Sequence, residues 1–104
     1  MKNLTLENIA KVCSGIYFGS ESLKDKTISG VVIDSRKVEK DFLFVAVKGA
    51  KVDGHKFIPD VMEKGAAAVL SEQKLENPVG PYILVENTLE ALKYARKQGA
   101  RSLA

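Results

Sequence analysis

The sequence predicts an α/β fold: a single domain with a mixed, mostly parallel sheet and helices packed on it. Three observations carry that reading. Short β-branched or apolar runs recur at 28–33, 42–47, 66–70 and 82–85. Amphipathic stripes at helical spacing lie around them, beginning at Leu6 and at Leu89. The run Phe42-Leu43-Phe44-Val45-Ala46-Val47 is apolar at every position, the mark of a strand covered on both faces and therefore of helices on both sides of the sheet.

The elements follow in order. Leu6, Ile9, Ala10 and Cys13 recur at i, i+3, i+4 and i+7, the buried stripe of a helix that Thr5 can cap and that Gly15 can end in the left-handed conformation. Cys13 is then a core residue, since no His or second Cys in the neighbouring sequence would activate it. After the short run Ile16-Tyr17-Phe18 and a polar stretch from Gly19 to Lys26, Ile28 to Ile33 reads as a strand, and Phe42 to Val47 as a second, the most buried. Pro59 suits the first turn of a helix carrying Val61 and Met62, with Gly65 closing it before the strand Ala66 to Leu70. Ser71 to Pro81 is a loop and Tyr82-Ile83-Leu84-Val85 the next strand. Asn87 with Glu90 forms a capping box for a last helix, in which Leu89, Leu92 and Ala95 supply the buried stripe and Gly99 the end.

Composition bounds the rest. A chain of 104 residues, 45% of them hydrophobic, can bury one core and has no room for a second catalytic domain, so residues 1–104 read as one domain. The net charge of +3 is small, and the one local cluster of cations, Lys93, Arg96, Lys97 and Arg101, falls at helical spacing as a solvated basic flank. No nucleic acid partner is indicated. No apolar run approaches the ~18–20 residues that cross a bilayer, and the start lacks the apolar stretch of a secretory signal, so no membrane is expected and the protein is placed in the cytoplasm. The single cysteine forms no internal disulfide, which fits a reducing compartment and excludes a cysteine-rich zinc site.

Two segments could carry chemistry. Asp34-Ser35-Arg36 stands where the 28–33 strand ends, and ligands of open α/β sheets collect at such ends. The fork of Arg36 matches phosphate or carboxylate oxygens, and Arg is scarce, at three residues against thirteen Lys. The plainer alternative is an ion pair or turn cap made by Asp34 and Arg36. The second segment is Lys48-Gly49-Ala50-Lys51-Val52-Asp53-Gly54-His55, after the most buried strand. Its glycines admit close approach of a ligand, and Lys51 and His55 bring cationic or hydrogen-bonding groups. Here too a plainer alternative stands, because Asp-Gly is a common turn and a lone histidine after it is more often structural. The sequence has no Gly-x-x-x-x-Gly-Lys-Ser/Thr loop, no Gly-x-Gly-x-x-Gly fingerprint and no nucleophile elbow, so by itself the chain reads as a binding module.

The series Ile28-Ser29-Gly30-Val31-Val32-Ile33-Asp34-Ser35-Arg36-Lys37-Val38, Leu43-Phe44-Val45-Ala46-Val47-Lys48-Gly49 and Asp53-Gly54-His55-Lys56-Phe57-Ile58 resembles the N-terminal domain of Mur ligases in order and separation. The resemblance continues through Gly65-Ala66-Ala67-Ala68-Val69 and Val85 to Leu92. The opening Leu4 to Ala10, with Gly15, looks more like the MurF type, which adds D-alanyl-D-alanine, than the MurE type, which adds the third residue. The resemblance implies a MurE/MurF N-terminal domain-like fold and a cytoplasmic step of peptidoglycan synthesis. In that step ATP converts the carboxylate of a UDP-linked muramoyl tripeptide to an acyl phosphate, which the dipeptide amine attacks. It implies that this domain holds the UDP end of the UDP-linked muramoyl peptide, with no cofactor and no metal of its own. ATP and magnesium are then expected in a central domain that, like the C-terminal domain, lies outside this sequence, and the chain alone is expected to be inactive. Carried over by position, Ile33, Ser35 and Arg36, together with Gly49, Ala50, Lys51, Val52, Asp53, Gly54 and His55, form the expected substrate-binding region, and none is expected to be catalytic. Asp41-Phe42 stand where the family usually has Gly-Asp before Leu43-Phe44, which bears on the geometry of that turn. The alternatives are the same domain of a MurE-type ligase, or a free-standing interaction module that has kept the fold.

Overall fold

The computed structural model describes residues 4–97. In chain order these form α1 (Leu6–Val12), β1 (Ile16–Phe18), β2 (Gly30–Val32), β3 (Phe42–Val45), α2 (Ile58–Glu63), β4 (Ala68–Ser71), β5 (Tyr82–Leu84) and α3 (Thr88–Lys97), with short 3-10 turns at Glu21–Leu23, Ser35–Lys37 and Gly54–Phe57. The strands make one sheet in the order β1-β5-β4-β3-β2. β2, β3, β4 and β5 run parallel, and β1 is antiparallel to β5. The expected mixed, mostly parallel sheet is the observed one. The run Ile16-Tyr17-Phe18 supplies its antiparallel edge.

Alternation of side chains along the strands splits the interior in two. Val31, Leu43, Val45, Ala68, Leu70 and Ile83 face α1 and α3, which contribute Leu6, Ile9, Ala91, Leu92 and Ala95. Val32, Phe42, Phe44, Val69 and Tyr82 face the other way, onto Ile58 and Val61 of α2. All four residues of β3 are buried, as a strand sandwiched between helices requires. Phe18 stacks on Tyr82 with ring centroids 4.9 Å apart, which ties the edge strand to the second layer.

Local chemistry explains the helix ends and corrects two expectations. Thr5 caps α1, its Oγ1 accepting the Asn8 N–H at 3.1 Å. The left-handed step after α1 is taken by Ser14 (φ 54°) and not by Gly15. Gly15 is required for space: a Cβ there would meet Ile83 Cγ2 at 2.6 Å and Leu84 O at 2.9 Å, so only glycine lets the chain turn against β5. Cys13 is buried as expected. Its Sγ donates to Ala91 O at 3.3 Å, and burial pushes its thiol up to about 11.

The buried stripe of α3 is Thr88, Ala91, Leu92 and Ala95, while Leu89 is 50% exposed. The rotation of that helix is set by Thr88, whose N–H and Oγ1 both donate to the Glu72 carboxylate at 2.9 and 3.1 Å, so Leu89, one residue on, swings out to solvent. The expected cap is present, with Glu90 N–H donating to Asn87 Oδ1 at 2.9 Å. Gly99 as helix end and Arg101 in the basic flank lie outside the described residues. At the start of β3, Asp41 takes φ 68°, donates its N–H to Gly65 O at 2.9 Å and pairs through its carboxylate with Lys26 at 2.8 Å, and Phe42 is buried.

Candidate functional site

Because β2 and β3 are parallel neighbours, the two segments singled out in the sequence leave the sheet side by side at its C-terminal edge. After β2, Asp34 sits at φ −97°, ψ 116° and caps the 3-10 turn Ser35–Lys37. Its carboxylate accepts the Arg36 backbone N–H at 2.9 Å, Nε at 3.1 Å and Nη2 at 2.9 Å. The guanidinium bonds first, and the backbone N–H second, hold the Asp34 carboxyl down to about 2. The ion pair and turn cap expected as the plainer alternative are therefore present. They do not use up Arg36. Its side chain is 86% exposed, and a guanidinium has five N–H donors, of which the pair engages two. The end of α2 supports the same turn, with Lys64 Nζ donating to Ser35 O at 3.0 Å.

After β3, the chain closes a loop through a bridge between Lys48 and Asp53 and a bond from Gly49 N–H to Val52 O of 2.8 Å. Gly54 N–H then donates to Val47 O at 2.8 Å, and a Cβ on Gly54 would lie 3.0 Å from Val47 N and 3.1 Å from Val47 O. A side chain at 54 would push the turn off the strand. Asp53 caps the turn Gly54–Phe57, its Oδ1 accepting the His55 N–H at 3.0 Å and meeting His55 Nδ1 at 2.7 Å. The hydrogen bonds to His55, backbone first, lower the Asp53 pKa. The other ring nitrogen, Nε2, accepts the Glu72 N–H at 2.9 Å, so the ring proton is on Nδ1.

Between the two turns lies an open hollow of about 500 Å³. One bank is Ile33, Asp34, Ser35 and Arg36, and the other is Val47, Val52, Gly54 and Phe57. Ile33 and Val52 are large apolar side chains left 43% and 47% exposed, and they face the same space. Two exposed apolar walls with a guanidinium at the lip can hold a flat, partly apolar group bearing an anionic tail.

Of the expected residues the structure brings Ile33, Ser35, Arg36, Val52 and Gly54 to this hollow. Gly49, Ala50 and Lys51 lie at the exposed tip of the loop and do not line it, and neither does Asp53. His55 lines a separate groove with Ile58, Pro59 and Met62 of α2 and the segment 75–79. Val47 and Phe57 line the hollow without having been singled out in the sequence. Phe57 was findable, because with three residues per 3-10 turn it stands on the same side as Gly54. Val47 carried no signal apart from its place at the end of an apolar run.

Among the described residues no three or more His, Cys, Asp or Glu side chains come together as a metal site. Among them, too, no helix is long and apolar enough to cross a membrane.

The family model described as "Mur ligase family, catalytic domain" matches residues 27–103. The UDP-N-acetylmuramoyl-tripeptide–D-alanyl-D-alanine ligase of Bacillus subtilis (strain 168) is 38% identical over 95 residues, covering 89% of this chain and 21% of that protein. The UDP-N-acetylmuramoyl-L-alanyl-D-glutamate–2,6-diaminopimelate ligase of Aquifex aeolicus (strain VF5) is 43% identical over 67 residues, covering 64% of this chain and 14% of that protein. Among solved structures, a crystal structure of MurF from Acinetobacter baumannii superposes with a TM-score of 0.78 over 94% of this chain and 22% of that one, at 24% identity, which speaks for the fold. The chain thus spans about a fifth of the length of the first of these relatives.

Proposed function

We propose, on the premise that this chain belongs to the Mur ligase family and has the fold of its N-terminal domain, that it holds the UDP end of a UDP-linked muramoyl peptide for a peptidoglycan ligase of the MurF type. The observation that carries the reading is the hollow between the β2 and β3 exits, where Ile33 and Val52 offer apolar walls and Arg36 an oriented cation. The walls take the base, and the outward N–H groups of Arg36 take phosphate oxygens. The chain's own part is binding and orientation. Activation of the peptide carboxylate by ATP with magnesium falls to the rest of the ligase. The MurF assignment is supported by the length of the match, since the Bacillus subtilis relative aligns with 89% of the chain and the Aquifex aeolicus relative with 64%.

Titrating isotope-labelled chain with UDP tests the site. Amide shifts clustered at 33–36 and 47–57 are the expected result, and their absence at millimolar UDP would overturn the reading. The type is tested in the full-length ligase. Consumption of ATP dependent on muramoyl tripeptide and D-alanyl-D-alanine is expected, whereas dependence on the muramoyl dipeptide and a single amino acid would make it the MurE type. The chain alone is expected not to hydrolyse ATP above an enzyme-free control.

A further inference from the structure

The turn Gly54–Phe57 has two sides: Gly54 and Phe57 line the hollow, while His55 points away from it and is bonded at both ring nitrogens. We propose that His55, neutral with its proton on Nδ1, is a positioning residue that latches the 48–57 segment to the rest of the sheet, and that a proton on Nε2 opens the latch and weakens the hollow for its nucleotide. The part concerning the nucleotide rests on the proposed UDP-binding role; the latch does not.

The side chain of His55 is 5% exposed, so the ring has little water to turn to when one of its bonds is lost. Nε2 has one lone pair, and the Glu72 N–H takes it at 2.9 Å. Glu72 follows β4 directly, and its carboxylate receives Thr88 at the start of α3. The ring therefore joins the site loop to β4 and, through Glu72, to α3. A second proton must go to Nε2, where it faces the Glu72 N–H donor to donor. Asp53, at 2.7 Å from Nδ1, keeps its bond in either state. Protonation consequently severs one link only, the one to β4, and leaves Asp53 and His55 paired on a turn still held by the Gly54 N–H bond to Val47 O.

The surrounding charges do not substitute for that link. Lys48 lies beside Asp53, and the Lys56 ammonium is drawn over the Phe57 ring at 5.1 Å. α2 presents the uncharged Ile58, Pro59 and Met62, and the facing segment brings Glu76 to the groove.

His55→Gln separates the latch from a merely structural role, because its Oε1 can accept the Glu72 N–H and does not titrate. In the wild-type chain, lowering the pH from about 8 to 5 is expected to shift the Gly49, Gly54 and Glu72 amides together with the His55 ring. Affinity for UDP-N-acetylglucosamine, whose two phosphates are both esterified and keep constant charge in this range, should fall about tenfold over the same span, the loss of one hydrogen bond to a buried group. The Gln variant should be flat in both measurements. Loop amides that do not follow the His55 ring, or that follow pH equally in the Gln variant, would overturn the latch. Should the Gln variant not fold, the wild-type ring decides by its nitrogen shifts: Nε2 must be the unprotonated nitrogen at pH 8, and a proton there refutes the proposal. A probe that fails to bind at every pH counts against the nucleotide reading, while the loop amides still judge the latch.

Discussion

Asp34-Ser35-Arg36 and Asp53-Gly54-His55 are the same local device in two settings. Both aspartates sit at φ −97°, with ψ 116° and 115°. Each caps a 3-10 turn by accepting the backbone N–H two residues on, at 2.9 and 3.0 Å, and each also binds the side chain of that residue. The settings differ in exposure: 86% for the Arg36 side chain, 5% for that of His55. One turn therefore holds its basic group out over the hollow with donors to spare, and the other sinks it into the fold with none. An Asx turn fixes direction locally, but what the basic group does is decided by the layer behind the turn. Behind His55 stand the end of β4 and the face of α2. Behind Arg36 is solvent.

The contrast between the turns predicts where substitutions act. The largest effect removes the floor under both of them. Val45 is fully buried in β3, the strand that leads into the His55 turn and pairs with β2, which leads into the Arg36 turn. Val45→Asp buries a carboxylate with no partner, and the variant is expected to show no cooperative thermal unfolding transition. A normal melting curve would mean that Val45 does not lie in the core of the sheet.

The two turns should then part. His55→Ala removes a side chain only 5% exposed together with the acceptor of the Glu72 N–H and is expected to cost about 1–3 kcal/mol of stability in denaturant titrations. Arg36→Ala should leave the unfolding midpoint close to wild type, since a surface pair adds little, yet weaken UDP binding roughly ten- to a hundred-fold. The opposite pattern, stability lost at Arg36 and affinity unchanged, would make both turns structural and erase the distinction.

Why the sequence showed the turns but not their difference has a physical reason. Periodicity is local: the apolar run at 42–47, the α1 stripe at Leu6, Ile9 and Ala10, and the cap at Asn87 with Glu90 were all legible because neighbours in sequence determine them. The Asp34 cap was legible on the same ground. The Glu72 N–H that occupies His55 lies 17 residues away, across β4, and nothing in the spacing of Asp53-Gly54-His55 announces it. The same limit hid the rotation of α3, which Glu72 sets through Thr88 from 16 residues away, and so Leu89 reads as buried in the sequence alone. It also hid the role of Gly15, whose constraint is β5. For the hollow, five of the ten expected residues line it. The loop tip at Gly49, Ala50 and Lys51 carries the motif without reaching the hollow.

The smallest expected effect sharpens the contrast from the acid side. Arg36 holds the Asp34 carboxyl below its ordinary 3.8, down to about 2. The folded-state value is the depressed one, so the contribution of this pair is fully present above the unfolded value and is lost as pH falls from about 4 through about 2. Asp34→Asn has no carboxyl to titrate, yet its side-chain oxygen can still accept the Arg36 N–H and so keep the turn. Between pH 4 and 2 its melting temperature should decline slightly less steeply than that of the wild type, with the two differing little in shape at neutral pH, because Asp34 sits on an exposed turn where solvent screens the pair. The ordering of Arg36 should suffer more than the fold does, since Asn cannot grip both Nε and Nη2 as a carboxylate does. At pH 7 the variant is therefore expected to bind UDP more weakly than wild type but more tightly than Arg36→Ala. If Asp34→Asn matched the wild type in affinity, the exposed turn would merely carry Arg36 and would not aim it.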